Sequence, residues 1–428
     1  MRRASRCAAL AMLLAAAPMC SPRGAGVERA PEPPARRPAE PASSNGAEPI
    51  DPRKADAREA EGPSEVDKEA PRPPLFKRFP GLAAKIPHIA LGALPTPVER
   101  AAKLGGAIGV DELYVKRDDL AGETYGGSKI RKLEFLLAEA KALGKTRVIT
   151  FGGAGSNHAV ATALYAQKLS MKTTLMLLPQ PMNEEVRHRL LAANHFGADI
   201  RIGTSPARSK SAAARASRPE DGDAYWIEMG GTSLLGNVGL VNAAFELKEQ
   251  VDAGLLPEPD FLYIALGTMG SAVGLMLGLK AAGLKTVVVP VRASSPDTSS
   301  EAKLAAMFKE TNDYLRALDP SFPSVALEPA GGGIRGGYLG KGYGLPTLKG
   351  TRAMAVFKEH TGVDLEPTYT GKTFAAVMDD AKDLAGKVVL FWNTYGSRRL
   401  DFSGAEPTYE ELPAALRPYF TARKKLDR

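Results

Sequence analysis

Residues 125–137 read YGGSKIRKLEFLL, a pair of glycines and a lysine directly before an amphipathic run. Leu133, Leu136 and Leu137 recur at the spacing of one helix face, so the run predicts a helix that buries this face. Glycines at its entrance are typical of a tight turn with a close backbone approach. Lys129 therefore stands at the mouth of a helix, where a lysine is usually solvated.

Short apolar runs alternate with helical patterns along the rest of the chain. The runs that predict buried strands lie at residues 147–151, 173–178, 261–266, 286–291 and 388–392. Helical patterns between them, such as 132–143 and 271–282, are each followed by a glycine typical of a helix C-terminus. This alternation predicts an α/β fold whose parallel sheets are covered by helices on both faces.

The composition is that of a globular protein and excludes several functional classes. Of 428 residues, 44% are hydrophobic and 24% are charged, which favours a packed domain over a disordered or membrane-embedded chain. The net charge is +8, but the basic residues are not clustered into a stripe. We therefore predict no nucleic-acid partner and a mild preference for small anions. Both cysteines, Cys7 and Cys20, precede the globular part, which removes thiol chemistry there. The histidines show no ligand spacing, so no metal is predicted.

The N-terminus has the pattern of an export signal. A basic start followed by a short apolar stretch predicts a signal over residues 1–20. Cys20 is placed like the acylated cysteine of bacterial lipoproteins, although the residues before it depart from the usual box. Either Cys20 carries a lipid, which would be the one contact of the protein with the membrane, or the protein is secreted in soluble form. Residues 21–74 are rich in Pro, Ala, Glu and Arg and predict a disordered tether. The globular domain is then expected to span 75–428. Because of the export signal, we expect an exported protein that is periplasmic or membrane-anchored.

A second glycine-rich segment predicts an anion site. The strand at 261–266 is followed by GTMGS at residues 267–271 and then by a helix. Free backbone N–H groups and the positive end of a helix dipole meet at such a loop, and its small residues let an anion approach. The glycine spacing matches neither the dinucleotide fingerprint nor the P-loop. We predict a phosphate site that does not bind a nucleotide; the alternative is a simple tight turn.

A phosphate site changes the interpretation of Lys129. Pyridoxal phosphate is held by its phosphate and by a covalent bond to a lysine amine, which must be buried enough to lose its proton. Lys129, between the glycines and the first turn of the helix, can point into such a site as the one lysine of its helix turned inward. The local sequence alone still favours a solvated lysine.

Ordered motifs extend over nearly all of the globular part. Besides GGSKIRKLEFLL they are YVKRDDL at 114–120, GSNHAVATALYAQKLSM at 155–171, EMGGTSLLGNVGLVNAAFEL at 228–247, GTMGSAVGL at 267–275, GYGLP at 342–346 and EPTYTGKTFAAVM at 366–378. Together they resemble fold-type-II pyridoxal-phosphate enzymes, in the branch of D-cysteine desulfhydrase and 1-aminocyclopropane-1-carboxylate deaminase. The resemblance implies pyridoxal 5'-phosphate in a cleft between two parallel-sheet α/β subdomains, the smaller inserted at about 133–240. It also implies a small amino-acid substrate and a homodimer.

The resemblance implies roles residue by residue. Lys129 resembles the lysine that bonds the cofactor covalently, and Asn157 resembles the partner of the ring hydroxyl. Ser156 stands where the family places a substrate-carboxylate contact or general base. Tyr343 and Tyr369 match two tyrosines above the cofactor, candidates for proton transfer and substrate positioning. The residues implied to hold the phosphate are Gly267, Thr268, Met269, Gly270 and Ser271.

Position 370 separates the two branches of this family. Ring-opening deaminases carry a glutamate that keeps the pyridine nitrogen protonated, whereas this chain has Thr370, as in D-cysteine desulfhydrases. A hydroxyl bonded to this nitrogen implies a weaker electron sink, which suffices when a good leaving group departs from the β-carbon. The resemblance therefore implies α,β-elimination of D-cysteine or a related β-substituted amino acid to pyruvate, ammonia and sulfide. Lys129 and Ser156 are competing candidates for the base that takes the α-proton.

Two departures from the family pattern leave other functions open. The family's His-Thr-Gly-Gly segment is replaced by Trp392-Asn-Thr-Tyr-Gly396, which keeps Thr394 but adds bulk. A polar segment at 206–223 resembles an insertion and predicts a mobile loop. The alternatives are a 1-aminocyclopropane-1-carboxylate deaminase and an exported, catalytically weak module that binds an amino acid or the cofactor.

Overall fold

The structure is a computed structural model that describes residues 72–421, except 204, 206–207, 209–210, 212–223, 328–332, 399, 401 and 403–407. The export signal at 1–20, the lipid on Cys20 and nearly all of the tether at 21–74 lie outside the described residues, as does most of the segment at 206–223. The predicted tether meets the described chain only at its end, where Pro74 already begins a helix.

Strands and helices alternate along the chain, as predicted. The helices are α1 (Pro74–Arg78), α2 (Pro80–Ala83), α3 (Ala102–Ile108), α4 (Lys129–Ala142), α5 (Asn157–Lys168), α6 (Glu184–His195), α7 (Leu234–Asp252), α8 (Gly270–Ala281), α9 (Glu301–Leu318), α10 (Leu348–Thr361), α11 (Thr370–Asp380) and α12 (Pro418–Thr421). The strands are β1 (Val98–Arg100), β2 (Glu112–Lys116), β3 (Arg147–Gly153), β4 (Lys172–Leu178), β5 (Asp199–Ile202), β6 (Ala224–Ile227), β7 (Phe261–Leu266), β8 (Val287–Arg292) and β9 (Val388–Trp392). In this described part of the chain, no helix is both long enough and apolar enough to cross a bilayer.

The strands form two separate sheets. The larger has the order β1-β2-β9-β7-β8, and every neighbouring pair is parallel except β1 with β2. The smaller has the order β5-β4-β3-β6 and is parallel throughout. Two largely parallel sheets with helical connections confirm the predicted α/β class. The antiparallel edge strand β1 was not predicted.

Close helix packing buries α4 almost completely. α7 packs against both α8 and α4. Glycines on α8 permit this approach, because a Cβ atom at Gly278 would lie 2.6 Å from the Ala244 Cβ on α7. On α4 every residue from Ile130 to Ala138 is buried. The predicted amphipathic helix is therefore buried nearly all round rather than on one face, which is typical of a helix inside a large core.

A buried ionic cluster joins α4 to α7 and to the larger sheet. Arg131 lies between Asp118, at 2.7 Å, and Glu246, at 2.8 Å. Lys116 bonds the same Glu246 at 2.6 Å, and Trp392 Nε1 donates to Asp118 Oδ2 at 2.7 Å. Burial alone would raise the pKa of Glu246, but Arg131 and Lys116 bring it down to about 2. Because the charged side chains are at most 2% exposed, each depends on its partners in the cluster.

Candidate active site

A cavity of about 360 Å³ lies between the two sheets, at the carboxyl ends of their parallel strands. Gly153 and Leu178 line it from the ends of β3 and β4 in the smaller sheet. Ala265 near the end of β7 and Thr394 just after β9 line it from the larger sheet. This edge of parallel sheets is where open α/β folds bind ligands, so the cavity is the candidate active site.

The turn before α4 aims Lys129 into the cavity. A Cβ atom at Gly126 would lie 2.0 Å from a backbone carbonyl oxygen, and Gly127 has a φ of +98°. Glycine is required at both positions. The N–H of Ser128 donates to the carbonyl oxygen of Thr394 at 3.2 Å, which ties this turn to the segment after β9.

The side chain of Lys129 is partly buried at the cavity wall. Its Nζ donates to the carbonyl oxygen of Gly230 over a long distance of 3.5 Å. Burial lowers the pKa of Lys129 to about 8. An ordinary lysine is almost wholly protonated at neutral pH, whereas this amine is partly neutral. Lys129 can therefore act as a nucleophile or as a base.

The segment 267–271 joins β7 to α8 and shows local backbone strain. Met269 has a φ of +71°, a left-handed conformation that costs a non-glycine residue about 1–3 kcal/mol. Such strain concentrates at functional sites. The hydroxyl of Thr268 lies 2.6 Å from that of Thr232. Because α8 begins at Gly270, its first backbone N–H groups and the positive end of its dipole lie beside the end of β7.

A second lysine on α4, Lys132, also points inward, so the prediction that Lys129 is the one inward lysine of this helix is wrong. Lys132 Nζ donates to Thr232 Oγ1 at 3.1 Å and to the carbonyl oxygen of Gly230 at 3.3 Å. A Cβ atom at Gly270 would lie 2.9 Å from this amine, so Lys132 reaches the first turn of α8. Burial, followed by Lys129, lowers the pKa of Lys132 well below its usual value. The spacing of three residues between the two lysines is the signal that could have predicted a shared face.

Ser156 and Asn157 lie at the start of α5 and line the cavity. The Oγ of Ser156 accepts the N–H of Ala159 at 3.2 Å, so its own proton remains available for a ligand. The Oδ1 of Asn157 accepts the hydroxyl proton of Tyr125 at 2.7 Å. Two of the predicted residues are thus brought to one helix N-terminus in the wall that also contains Lys129.

Tyr343 and Tyr369 form a hydroxyl pair in the cavity wall. Their oxygen atoms are 2.8 Å apart, and a Cβ atom at Gly267 would lie 3.1 Å from the Tyr369 ring. Burial raises the pKa of both phenols, so both keep their protons at neutral pH. Because one hydroxyl donates to the other, the pair retains one proton that it can give to a ligand.

A family model described as pyridoxal-phosphate dependent enzyme matches residues 89–394, a range that includes Lys129 and the loop at 267–271. The chain belongs to this family of pyridoxal-phosphate-dependent enzymes. The predicted family, enzyme class and cofactor are therefore confirmed.

Relatives of this pyridoxal-phosphate enzyme differ in the substrate that their names state. A Pyrococcus abyssi protein provisionally named 1-aminocyclopropane-1-carboxylate deaminase is 33% identical over 330 residues, which are 75% of this chain and 95% of the relative. A D-cysteine desulfhydrase of Serratia proteamaculans is 29% identical over 304 residues, 69% of this chain and 88% of the relative. The crystal structure of an ACC deaminase homologue matches with a TM-score of 0.65 and 30% identity, over 76% of this chain and 95% of that one. The protein is an enzyme of this deaminase and desulfhydrase group.

The residues of the cavity fit pyridoxal 5'-phosphate. Among the described residues, the hydrogen-bond partners of Lys129 and Lys132 are neutral oxygens, so a phosphate supplies the negative charge that two neighbouring amines need. The hydroxyl of Ser271 and the first turn of α8 would hold that phosphate, and Lys132, buried behind this turn, would add positive charge beside it. Lys129 would hold the aldehyde carbon, and Asn157 would hold the ring hydroxyl.

Two residues assigned to the cofactor are not among those that line the cavity. Thr370 is 1% exposed, and its hydroxyl accepts the N–H of Glu366 at 2.9 Å. The geometry therefore contradicts the predicted bond between this hydroxyl and the pyridine nitrogen. Gly270 lies behind the loop surface, where its N–H donates to the carbonyl oxygen of Thr268 at 3.0 Å.

The cavity wall also contains residues without a predicted role. Tyr395, from the segment that departs from the family pattern, donates to Glu185 on α6 at 2.7 Å, and its ring packs on the guanidinium of Arg189. The extra bulk is therefore anchored to α6. Gln180 follows β4, and its buried Oε1 has no hydrogen-bond partner among the described residues. No local pattern marks Gln180, because it lies in a connecting loop.

The lowered pKa of Lys129 predicts how cofactor uptake depends on pH. Below about pH 8 the amine is mostly protonated, and the bond to the cofactor needs the neutral amine. We expect the uptake rate to rise roughly tenfold per pH unit below pH 7 and to level off near pH 9, whereas an ordinary lysine would continue to gain up to about pH 10.4. Stopped-flow absorbance after mixing cofactor-free protein with pyridoxal phosphate measures this, with free N-acetyl-lysine as the reference. A tenfold rise between pH 9 and pH 10 would contradict it.

Proposed function

We propose that the protein catalyses α,β-elimination of D-cysteine or a related β-substituted amino acid, with water, to pyruvate, ammonia and sulfide. When bound, pyridoxal phosphate supplies an electron sink for negative charge at the substrate α-carbon. The observation that carries the proposal is the hydrogen bonding of Glu366. In the part of the chain that the structure describes, this is the acidic residue that lines the cavity.

Both carboxylate oxygens of Glu366 accept backbone N–H groups at the start of α11. Its Oε1 accepts the N–H groups of Tyr369 at 2.6 Å and Thr370 at 2.9 Å, and its Oε2 accepts the N–H of Thr368 at 2.9 Å. The carboxylate thus serves as a helix cap. Hydroxyl-bearing side chains such as Thr394 are then the neutral groups that the wall offers to the ring nitrogen. A neutral partner supports a weaker electron sink, which suits the departure of a good leaving group such as thiolate.

The other wall residues supply the groups that an elimination needs. The hydroxyl of Ser156 and the N-terminus of α5 would bind the substrate carboxylate. Lys129 Nζ and Ser156 Oγ are the two candidates to take the α-proton, and the lowered pKa of the lysine favours Lys129. The Tyr343 and Tyr369 pair has one proton to give, and we assign it to the leaving sulfur.

Substrate assays test this function. The purified protein is loaded with pyridoxal phosphate and given D-cysteine, L-cysteine or 1-aminocyclopropane-1-carboxylate in separate reactions. We expect sulfide and pyruvate in equal amounts from D-cysteine, and none from the Lys129→Ala protein. Absence of sulfide from both cysteine enantiomers refutes the desulfhydrase assignment.

Ring opening of 1-aminocyclopropane-1-carboxylate is the second candidate, because the 33% identical Pyrococcus abyssi relative carries that name. This activity yields 2-oxobutyrate and ammonia without sulfide, so the same three reactions distinguish it. A protein that binds the cofactor and turns over none of the three would instead favour the binding module.

A further inference from the structure

Tyr125 lies behind the cavity wall and donates a hydrogen bond to one wall residue, Asn157. It is 4% exposed and is not among the lining residues. Its hydroxyl donates to Oδ1 of Asn157 at 2.7 Å. The hydroxyl of Tyr165 donates to the backbone oxygen of Tyr125 at 2.7 Å, so Tyr125 is held both at its backbone and at its hydroxyl.

The direction of the bond between Tyr125 and Asn157 follows from the neighbours of the hydroxyl. Burial raises the pKa of Tyr125 to about 12, against the opposing effect of Arg189, so the hydroxyl keeps its proton at working pH. A guanidinium has only donors, so Arg189 can interact only with the oxygen of this hydroxyl. The proton of Tyr125 is therefore directed to Asn157.

This bond determines which end of the Asn157 amide faces the cofactor. Because Oδ1 is occupied, the amide presents Nδ2 and its two N–H donors to the cavity. We infer that Tyr125 is a positioning residue that holds Asn157 so that Nδ2 donates to the ring oxygen of bound pyridoxal phosphate. The inference rests on the assignment of Asn157 to that oxygen and does not depend on the choice of substrate.

A donor at the ring oxygen has a measurable effect on the bound cofactor. It stabilises negative charge on that oxygen and so lowers the pKa at which the lysine-bound cofactor loses its proton and its visible band shifts. Without the Tyr125 hydroxyl, the Asn157 amide is free to turn its oxygen toward the cofactor, which weakens or removes this stabilisation.

Absorbance titration of the loaded full-length protein tests the inference. In Tyr125→Phe we expect the pKa of the visible band to rise by about 0.5 to 1, and the dissociation constant of the cofactor to rise roughly three- to tenfold. Tyr263→Phe is the matched control, because Tyr263 is a buried tyrosine outside the cavity whose hydroxyl donates to Asp380 at 3.0 Å. It should change neither value.

A second variant separates positioning from a general loss of structure. Asn157→Ala removes the group on which Tyr125 acts, so adding Tyr125→Phe to it should shift the pKa of the band no further. An unchanged pKa in Tyr125→Phe, the same shift in Tyr263→Phe, or additive shifts in the double variant would each overturn the inference. The titration needs no substrate, so it stays informative if D-cysteine is not turned over.

Discussion

Lys129→Ala is expected to lose both turnover and the visible band of lysine-bound pyridoxal phosphate. The side chain is the amine at the start of α4 that reaches the cavity with a pKa lowered to about 8. Its removal takes away the covalent attachment and one candidate base, for which we expect a fall in kcat of at least roughly a thousandfold. Absorbance spectra of the reconstituted protein and keto-acid assays measure the two losses.

Lys132→Ala is the matched control for this prediction, since Lys132 is a buried lysine of the same helix three residues later. It should keep the visible band and bind the cofactor about 10- to 100-fold more weakly, because a buried positive charge beside the phosphate site is lost. If Lys132→Ala loses the band while Lys129→Ala keeps it, the two assignments must be exchanged.

Arg131→Ala is expected to lower the free energy of unfolding by more than the loss of a surface ion pair does. It leaves Asp118 and Glu246 as buried carboxylates without their main cation. Breaking a buried pair in this way costs about 3–5 kcal/mol. Urea unfolding followed by circular dichroism, on cofactor-free protein to exclude ligand effects, measures the change.

Arg100→Ala provides the comparison, because Arg100 pairs with Glu112 where both side chains are substantially exposed, at 51% and 36%. Exposed pairs contribute about 0–1 kcal/mol. Equal unfolding midpoints for the two variants would show that the buried ionic cluster does not depend on Arg131.

The strands that the sequence predicted are mostly buried, although β2, which is equally buried, was missed. β7 and β9 coincide with the predicted ranges, and most of their side chains are buried. Such strands are continuous apolar runs, which local pattern identifies. β5 and β6 have four residues each and mix buried with part-exposed positions, so they are too short for periodicity to separate them from loops. The order of strands depends on pairings between distant segments, which no local pattern contains.

In the candidate site too, sequence motifs predicted some residues correctly, whereas others depend on geometry that no motif contains. Ordered motifs predicted Lys129, Ser156, Tyr343 and Tyr369, and the structure brings all of them to one cavity. Thr370 fails because it is the first residue of α11 and its hydroxyl accepts the N–H of Glu366, whereas Tyr369, just before the helix, lines the cavity. Lys132 was missed because an amphipathic pattern assumes a solvated face, which α4 lacks from Ile130 to Ala138.

The order of strands in the larger sheet has a consequence for biosynthesis. β9, the last strand in the chain, lies between β2 and β7, so it separates the two strands that the ribosome completes earlier. That sheet cannot assemble until residue 392 has left the exit tunnel, whereas every strand of the smaller sheet is available once residue 227 has emerged. A nascent chain truncated before β9 would therefore expose two unpaired strand edges to chaperones and proteases.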